Sequence, residues 1–317
     1  MSFFMSADYS LSTKVMEIIY FIIGLLCIYC GVKNLKDKEN PEPVGTFIFW
    51  AVLGVVLALG RWLPSLVSGI LVVVMCIPAI LKKVKKGAVS AATKAETEAT
   101  YEKIGMKIFV PTLSIGMLAV ICAITGKRIG LYALNGDALG VLVAIILLMI
   151  MNRDNKPSTF LNDSERMLST VGPLSMLPML LACLGSVFTA AGVGDVISDL
   201  VSHIIPEGNV NAGIVVYAIG MMLFTMIMGN AYAAITVMTV GIGYPFVLAH
   251  GANPVVIGML ALTCGFCGTL CTPMAANFNT VPVALLDMKK PMGVIKNQVP
   301  VAIIMMVVQI VMMILLK

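Results

Sequence analysis

The residues able to bind a polar solute lie in two short stretches, MGNAYAAITVMTVGIGYP at 228–245 and GTLCTPMAANFNTVP at 268–282. No Asp, Glu, Lys or Arg occurs between Glu207 and Asp287, so neither stretch has a fixed charge to work with. In the first, Gly229, Asn230 and Ala231 stand where two apolar arms meet. In the second, Thr269, Thr272, Asn277, Asn279 and Thr280 supply hydroxyls and amides, and Pro273 and Pro282 withdraw backbone donors and free carbonyls. An amide in hydrocarbon is costly unless it is hydrogen-bonded. Non-helical backbone at membrane depth persists only where it is buried in protein or lines a wet cavity. The chemistry on offer is therefore that of dipoles. Half-helix N-termini attract carboxylates, while freed carbonyls and amide oxygens coordinate a cation such as sodium, here at Asn230, Asn277 and nearby carbonyls. A single polar break is also what a packing kink looks like, because Pro and Gly are common in membrane helices. Two breaks in one uncharged window favour a site. Tyr232 and Tyr244 either face a solute or pack, and packing is expected for Tyr244.

The elements that must carry these stretches are membrane helices. The chain is 59% hydrophobic and 12% charged, with a mean hydropathy of +1.00, whereas soluble proteins are about one quarter charged. The apolar runs are continuous and do not alternate, which selects helices over a barrel. Spans are expected at 15–32, 44–60, 63–81, 108–125, 138–151 and 170–192. A short amphipathic segment ending at Pro206 follows, then a hairpin over 212–248, a broken helix over 254–287 and a last span over 298–316. This is an all-α integral membrane protein of about eight transmembrane helices plus one re-entrant hairpin and a broken helix. The turn "GNA" carries no Lys or Arg, so the hairpin tip is expected to stop inside the membrane. The first apolar run is followed by Lys33, Lys36 and Lys38 and no small-residue cleavage site, and reads as a retained helix. The eight cysteines are not a framework. Cys264, Cys267 and Cys271 share one helical face, but with only two histidines in the chain they read as small packing residues.

Basic residues set the expected orientation. The stretch 82–107 holds seven lysines and is expected in the cytoplasm, as a solvated helical hairpin touching anionic headgroups. The stretches 33–40, 152–166 and 288–297 go with it, and 193–211, with Asp195, Asp199 and Glu207 but no Lys or Arg, goes outside. Both termini then lie outside; Lys127 and Arg128 oppose the rule, and Arg61 does so weakly. The lysines cluster in loops between spans, so the net charge of +5 does not argue for nucleic acid. The segment 158–170 is expected to be an arm lying at the cytoplasmic interface, with Asn162, Asp163 and Ser164 as candidate caps. The chain divides into a three-helix scaffold region over 1–107 and a repeat over 108–317.

Those two stretches carry a resemblance. GNAYAAITVMTVGIGYP followed by GFCGTLCTPMAANFNTVP resembles the Ser-Asn-Thr hairpin tip and the Thr-Pro-x-x-x-Asn broken helix of the ion-transporter superfamily of secondary carriers, which includes dicarboxylate–sodium symporters. The whole chain resembles the bacterial inner-membrane family catalogued as domain of unknown function 979. The superfamily resemblance covers 108–316 and is specific at 229–282. It implies an elevator-type repeat with Gly229, Asn230 and Ala231 at the tip and Thr272, Pro273, Asn277 and Asn279 at the break. Gly229 stands in the serine place and Ala231 in the threonine place, which removes two hydroxyls. The superfamily pairs two inverted repeats, and this chain shows one clear copy. The family is similar to one found beside a second, smaller membrane protein of the domain of unknown function 969 type, near enzymes of 5-oxoproline metabolism. That implies a small amide-bearing carboxylate as substrate.

The expected function is thus a subunit of a secondary active transporter for a small organic anion, coupled to sodium or protons, in the bacterial inner membrane. The alternative is a channel or structural subunit without coupled transport. An enzyme fails on inventory: there is no metal pair, no Walker A loop and no nucleophile–base pair in the uncharged window. No cofactor is expected beyond a coupling ion.

Overall fold

The computed structural model describes residues 2–87, 94–203, 205 and 208–317. It divides into two compact units, Met1–Gly172 and Pro173–Lys317, and the described residues contain helices and turns but no strand. The boundary expected at 107/108 falls inside the first unit, where the tight turn Gly105–Ile108 runs directly into the next helix.

The first unit comprises α1 (Ser2–Met5), α2 (Leu11–Lys36), α3 (Pro43–Leu59), α4 (Ser65–Ile80), α5 (Lys94–Ile104), α6 (Phe109–Ile129), α7 (Ala133–Met151) and α8 (Pro157–Val171). Small residues set its close pairs. A Cβ on Gly24 of α2 would lie 2.5 Å from the Gly54 carbonyl of α3, and one on Gly140 of α7 would lie 2.5 Å from Ile115 Cα of α6. Helix α8 is fastened to α2 by a buried carboxylate. Glu165, 1% exposed, accepts from Asn34 Nδ2 at 3.0 Å and from Ser169 Oγ at 2.9 Å, with Lys33 Nζ 3.3 Å from its other oxygen. Asn162, Asp163 and Ser164 lie inside this helix and do not cap it. It begins earlier, at Pro157, whose fixed φ suits the first helical position.

The lysine-rich stretch is not a helical hairpin in its described part. Residues 82–87 form no helix, because α3 and the loop before it take their backbone groups: Lys85 N–H donates to Thr46 Oγ1 at 3.0 Å, and the Lys85 carbonyl accepts from Asn40 Nδ2 at 3.1 Å. Residues 88–93, within the predicted hairpin, lie outside the described residues, and α5 follows. Lys103 on α5 donates to Asp154 Oδ2 at 2.7 Å, and this hydrogen bond and charge hold the exposed Asp154 carboxyl below its usual range.

The second unit comprises α9 (Leu177–Ala190), α10 (Val193–Ser202), α11 (Val210–Met228), α12 (Ala231–Met238), α13 (Tyr244–Phe246), α14 (Pro254–Leu270), α15 (Ala276–Leu285) and α16 (Gly293–Leu316), with a π-helical turn over Thr239–Gly243. Its core lies among α11, α12, α14 and α16, where Ile214, Tyr217, Met221, Met238, Ile257, Cys264 and Met313 are buried together. The amphipathic segment is α10; its expected end, Pro206, lies outside the described residues. Tyr244, expected to pack, is 64% exposed, because α13 is a three-residue turn that presents it outward.

Among the described residues seven helical stretches are long and apolar enough to cross a membrane, so the chain has the build of a multi-pass membrane protein. The count departs from the expected eight plus a hairpin. Helices α3, α4 and α14 have 17, 16 and 17 residues, which at about 1.5 Å per residue fall short of a hydrocarbon core of about 30 Å. Both hairpin arms, Val210–Met228 and Ala231–His250, are among the seven, so by length they fit full crossings as well as a re-entrant pair.

Candidate functional site

The hairpin tip forms because Gly and Asn stand where one helix must stop and the next must start. Gly229 takes φ +69° and ends α11, its N–H donating to the Thr225 carbonyl at 2.7 Å. Asn230 caps α12, its Oδ1 accepting from Tyr232 N at 2.9 Å and Ala233 N at 3.3 Å. Among the described residues the Ala231 N–H of that first turn has no hydrogen-bond partner. The second break runs from Cys271 to Ala275, between α14 and α15. Pro273 cannot supply a backbone donor there, and Thr272 Oγ1 accepts from Met274 N at 3.2 Å in its place.

Tip and break meet. Thr272 Oγ1 donates to the Met226 carbonyl near the end of α11 at 2.9 Å. A Cβ on Gly229 would lie 2.5 Å from Met274 O, so the two turns are in backbone contact. Asn279, 1% exposed, closes the break from inside: its Nδ2 donates to the carbonyls of Thr269 and Thr272, both at 2.7 Å. Its Oδ1 is buried and has no partner among the described residues. Thr280 Oγ1 donates to the Pro273 carbonyl at 3.2 Å.

Beside the contact lies a cavity of about 140 Å³, close to the size of about 150 Å³ that holds one benzene-sized guest. Its polar lining is Gly229, Asn230, Ala231, Thr269 and Asn277; its apolar lining includes Leu181, Phe266 and Phe278. The N-terminal turns of α12 and α15 both contribute, so two positive helix ends share one small space. Neither Asn230 Nδ2 nor the exposed Asn277 amide has a hydrogen bond among the described residues.

The structure thus sorts the residues singled out from sequence. Gly229, Asn230, Ala231, Thr269 and Asn277 come together around the cavity. Thr272, Pro273, Asn279 and Thr280 build the break and do not line it. Sequence reasoning missed Leu181, Phe266 and Phe278, whose apolar side chains look like any core residue, and Tyr232, which was left undecided and now stands on the rim, edge-on to Phe266 at 5.8 Å. Among the described residues no group of His, Cys, Asp and Glu is arranged to hold a metal ion.

No curated protein matches this chain, and no solved structure does. One family model matches residues 17–317, nearly the whole length. The match runs from within α2 to the end of α16 and takes in the tip and the break alike, and the chain belongs to the family described as Protein of unknown function (DUF979).

Proposed function

We propose that this chain is one subunit of a secondary active transporter for a small organic anion, coupled to sodium or protons, working in the bacterial inner membrane with a second, smaller membrane subunit. The observation that carries the reading is the cavity at the meeting of two helix breaks. It has unmated amides and two helix N-termini in a chain segment without fixed charge. Such a space favours a carboxylate through N–H groups and amide dipoles. It does so without a buried Arg or Lys that would hold the anion too tightly to release. Its size suits a solute of about six to nine non-hydrogen atoms, the range of 5-oxoproline. For a coupling cation the cavity offers the amide oxygen of Asn277, since Asn230 Oδ1 already caps α12 and the buried Asn279 Oδ1 lies within the break and not on the cavity.

What surrounds the break supports the reading of a second subunit. Asn277 and Pro273 are exposed on the chain as it stands. Amides and carbonyls at membrane depth cost several kcal/mol when they face lipid. An opposed polar wall would cover them, and a second copy in the same orientation would not supply an inverted one. The test is uptake of labelled 5-oxoproline into proteoliposomes under an imposed sodium or proton gradient. This chain alone is expected to give none, and co-reconstitution with the smaller subunit is expected to give saturable, gradient-driven uptake. Saturable uptake by the chain alone would remove the second subunit from the reading. Flux that neither saturates nor follows a gradient would make the protein a channel.

A further inference from the structure

Away from the tip and break, the first unit contains a long apolar groove that the transport reading does not use. It lies among α2, α7 and α8 and has a volume of about 620 Å³. Ile19, Ile22 and Tyr29 line it from α2, Val141 and Ile145 from α7, and Phe160 from α8. From Ile19 to Tyr29 the groove follows α2 for about 15 Å. That is half of the about 30 Å hydrocarbon core, the depth of one leaflet. Scaled from a benzene-sized guest in about 150 Å³, its volume accommodates on the order of 20 carbon atoms. The groove is open along one side, where Ile22, Val141 and Phe160 are exposed.

The α8 end of this groove turns polar. A second hollow of about 220 Å³ adjoins it, sharing Ile145 and Phe160, and is lined by Lys156, Thr159 and Asp163 among others. Asp163 is engaged by Arg166 at 3.4 Å and Asp154 by Lys103 at 2.7 Å. Lys156 makes no salt bridge among the described residues, although its charge is felt by Asp154, so of the charged side chains on the hollow Lys156 is the one left without an ion-pair partner. Thr159 adds a hydroxyl; it belongs to the first turn of the 15-residue α8, and Lys156 directly precedes that helix.

We propose that this combined groove holds one anionic glycerophospholipid of the adjoining leaflet, its phosphate at Lys156 and Thr159 and one acyl chain along Ile22, Ile145 and Phe160. The apolar length matches one leaflet, the polar hollow sits at its end, and the unpaired Lys156 there is of the sign that complements a phosphate. Such a lipid wedges between α2 and α7 beneath α8, so it belongs to the folded protein and exchanges slowly with the bulk bilayer.

The experiment uses the full chain in nanodiscs of equimolar phosphatidylglycerol and phosphatidylcholine, extracted into mild detergent, delipidated in steps and weighed by native mass spectrometry. Wild type is expected to keep one phosphatidylglycerol per chain after the remaining lipid is gone. Lys156→Glu, which reverses one charge at the headgroup, is expected to lower that retention about tenfold, and Lys156→Arg is expected to preserve it. Leu142→Trp, which narrows the apolar part, is expected to abolish it. Only variants that elute as a single species and unfold at the wild-type temperature are compared, with Lys156→Arg and Lys156→Glu as the deciding surface pair. Retention of phosphatidylcholine and phosphatidylglycerol in equal measure, or equal retention by Lys156→Glu and wild type, would overturn the proposal.

Discussion

Replacing Gly229 by Ala probes whether the hairpin tip and the helix break form one body. Gly229 sits at φ +69°, where a residue with a Cβ loses about 1 kcal/mol. That Cβ would lie 2.5 Å from Met274 O, 2.6 Å from Met274 C and 3.0 Å from Leu181 Cδ1. The leucine can rotate aside. The Met274 carbonyl cannot, because it accepts from Ala276 N at 2.9 Å and shapes the start of α15. Tip and break must then part by several tenths of an ångström, an overpacking that costs about 2 kcal/mol. The sum of about 3 kcal/mol corresponds to a fall of about 6–12 °C in unfolding temperature. The control is Gly258→Ala, within α14, where an added Cβ would meet nothing within 4 Å. Helix propensity alone makes that change neutral or stabilising by about 0.5–1 kcal/mol. Both are read by thermal unfolding of purified protein in one detergent. If Gly229→Ala unfolds within a degree of wild type while Gly258→Ala behaves as stated, the tip is not pressed against the break and the cavity geometry is wrong.

Asn279→Ala removes the two donations to Thr269 O and Thr272 O and is expected to cost about 2–4 kcal/mol of stability, read in the same unfolding assay. Asn277→Ala, at an exposed position, is expected to shift stability by less than about 0.5 kcal/mol yet lower 5-oxoproline uptake at least about tenfold; unchanged uptake would take Asn277 out of the site. Thr272→Val deletes the bridge to Met226 O at a cost of about 1–2 kcal/mol, and Thr272→Ser is expected to restore it. Glu165→Ala leaves Asn34 Nδ2 and Ser169 without their shared acceptor and Lys33, 32% exposed, without its partner; an expected loss of about 1–3 kcal/mol can be read as faster proteolysis of the 152–172 segment.

What could be read from sequence was the punctuation. Gly229–Asn230 carries both letters of a stop and a restart, a residue free to take positive φ followed by a capping amide, and the turn lies there. Thr272–Pro273 likewise marks the second break. What could not be read was which polar group faces the cavity. Asn277 and Asn279 are two residues apart on α15, hence about 200° apart around it, so they cannot share a face. The structure turns Asn279 inward as a clasp and leaves Asn277 on the cavity. The Lys82–Lys107 stretch misled for a related reason. Its composition is that of a solvated helix, but Thr46 and Asn40, distant in sequence, hold the Lys85 backbone against α3. The arm α8 started five residues before its expected caps because a proline at the first helical position needs no side-chain cap.

The clasp restricts how any solute could reach the cavity. Parting the tip from the break strands the Met226 carbonyl and the Thr272 hydroxyl, at about 1–3 kcal/mol for each in a water-poor setting. It also opens the backbone contact between Gly229 and Met274. The buried Asn279 clasp ties the break to the end of α14, since one of its donated hydrogens ends on the Thr269 carbonyl of that helix and the other on the Thr272 carbonyl of the break. The cavity therefore does not open along the line where its polar walls meet. It opens on its rim, where the 65% exposed Tyr232 and the 41% exposed Phe278 leave Asn277 accessible. Access to one side of a membrane and then the other requires either that the clasped body moves whole or that whatever covers this rim moves past it. On the transport reading proposed above, both routes would put a second polar surface against Asn230 and Asn277, and that surface would share with the cavity's own lining the choice of anion.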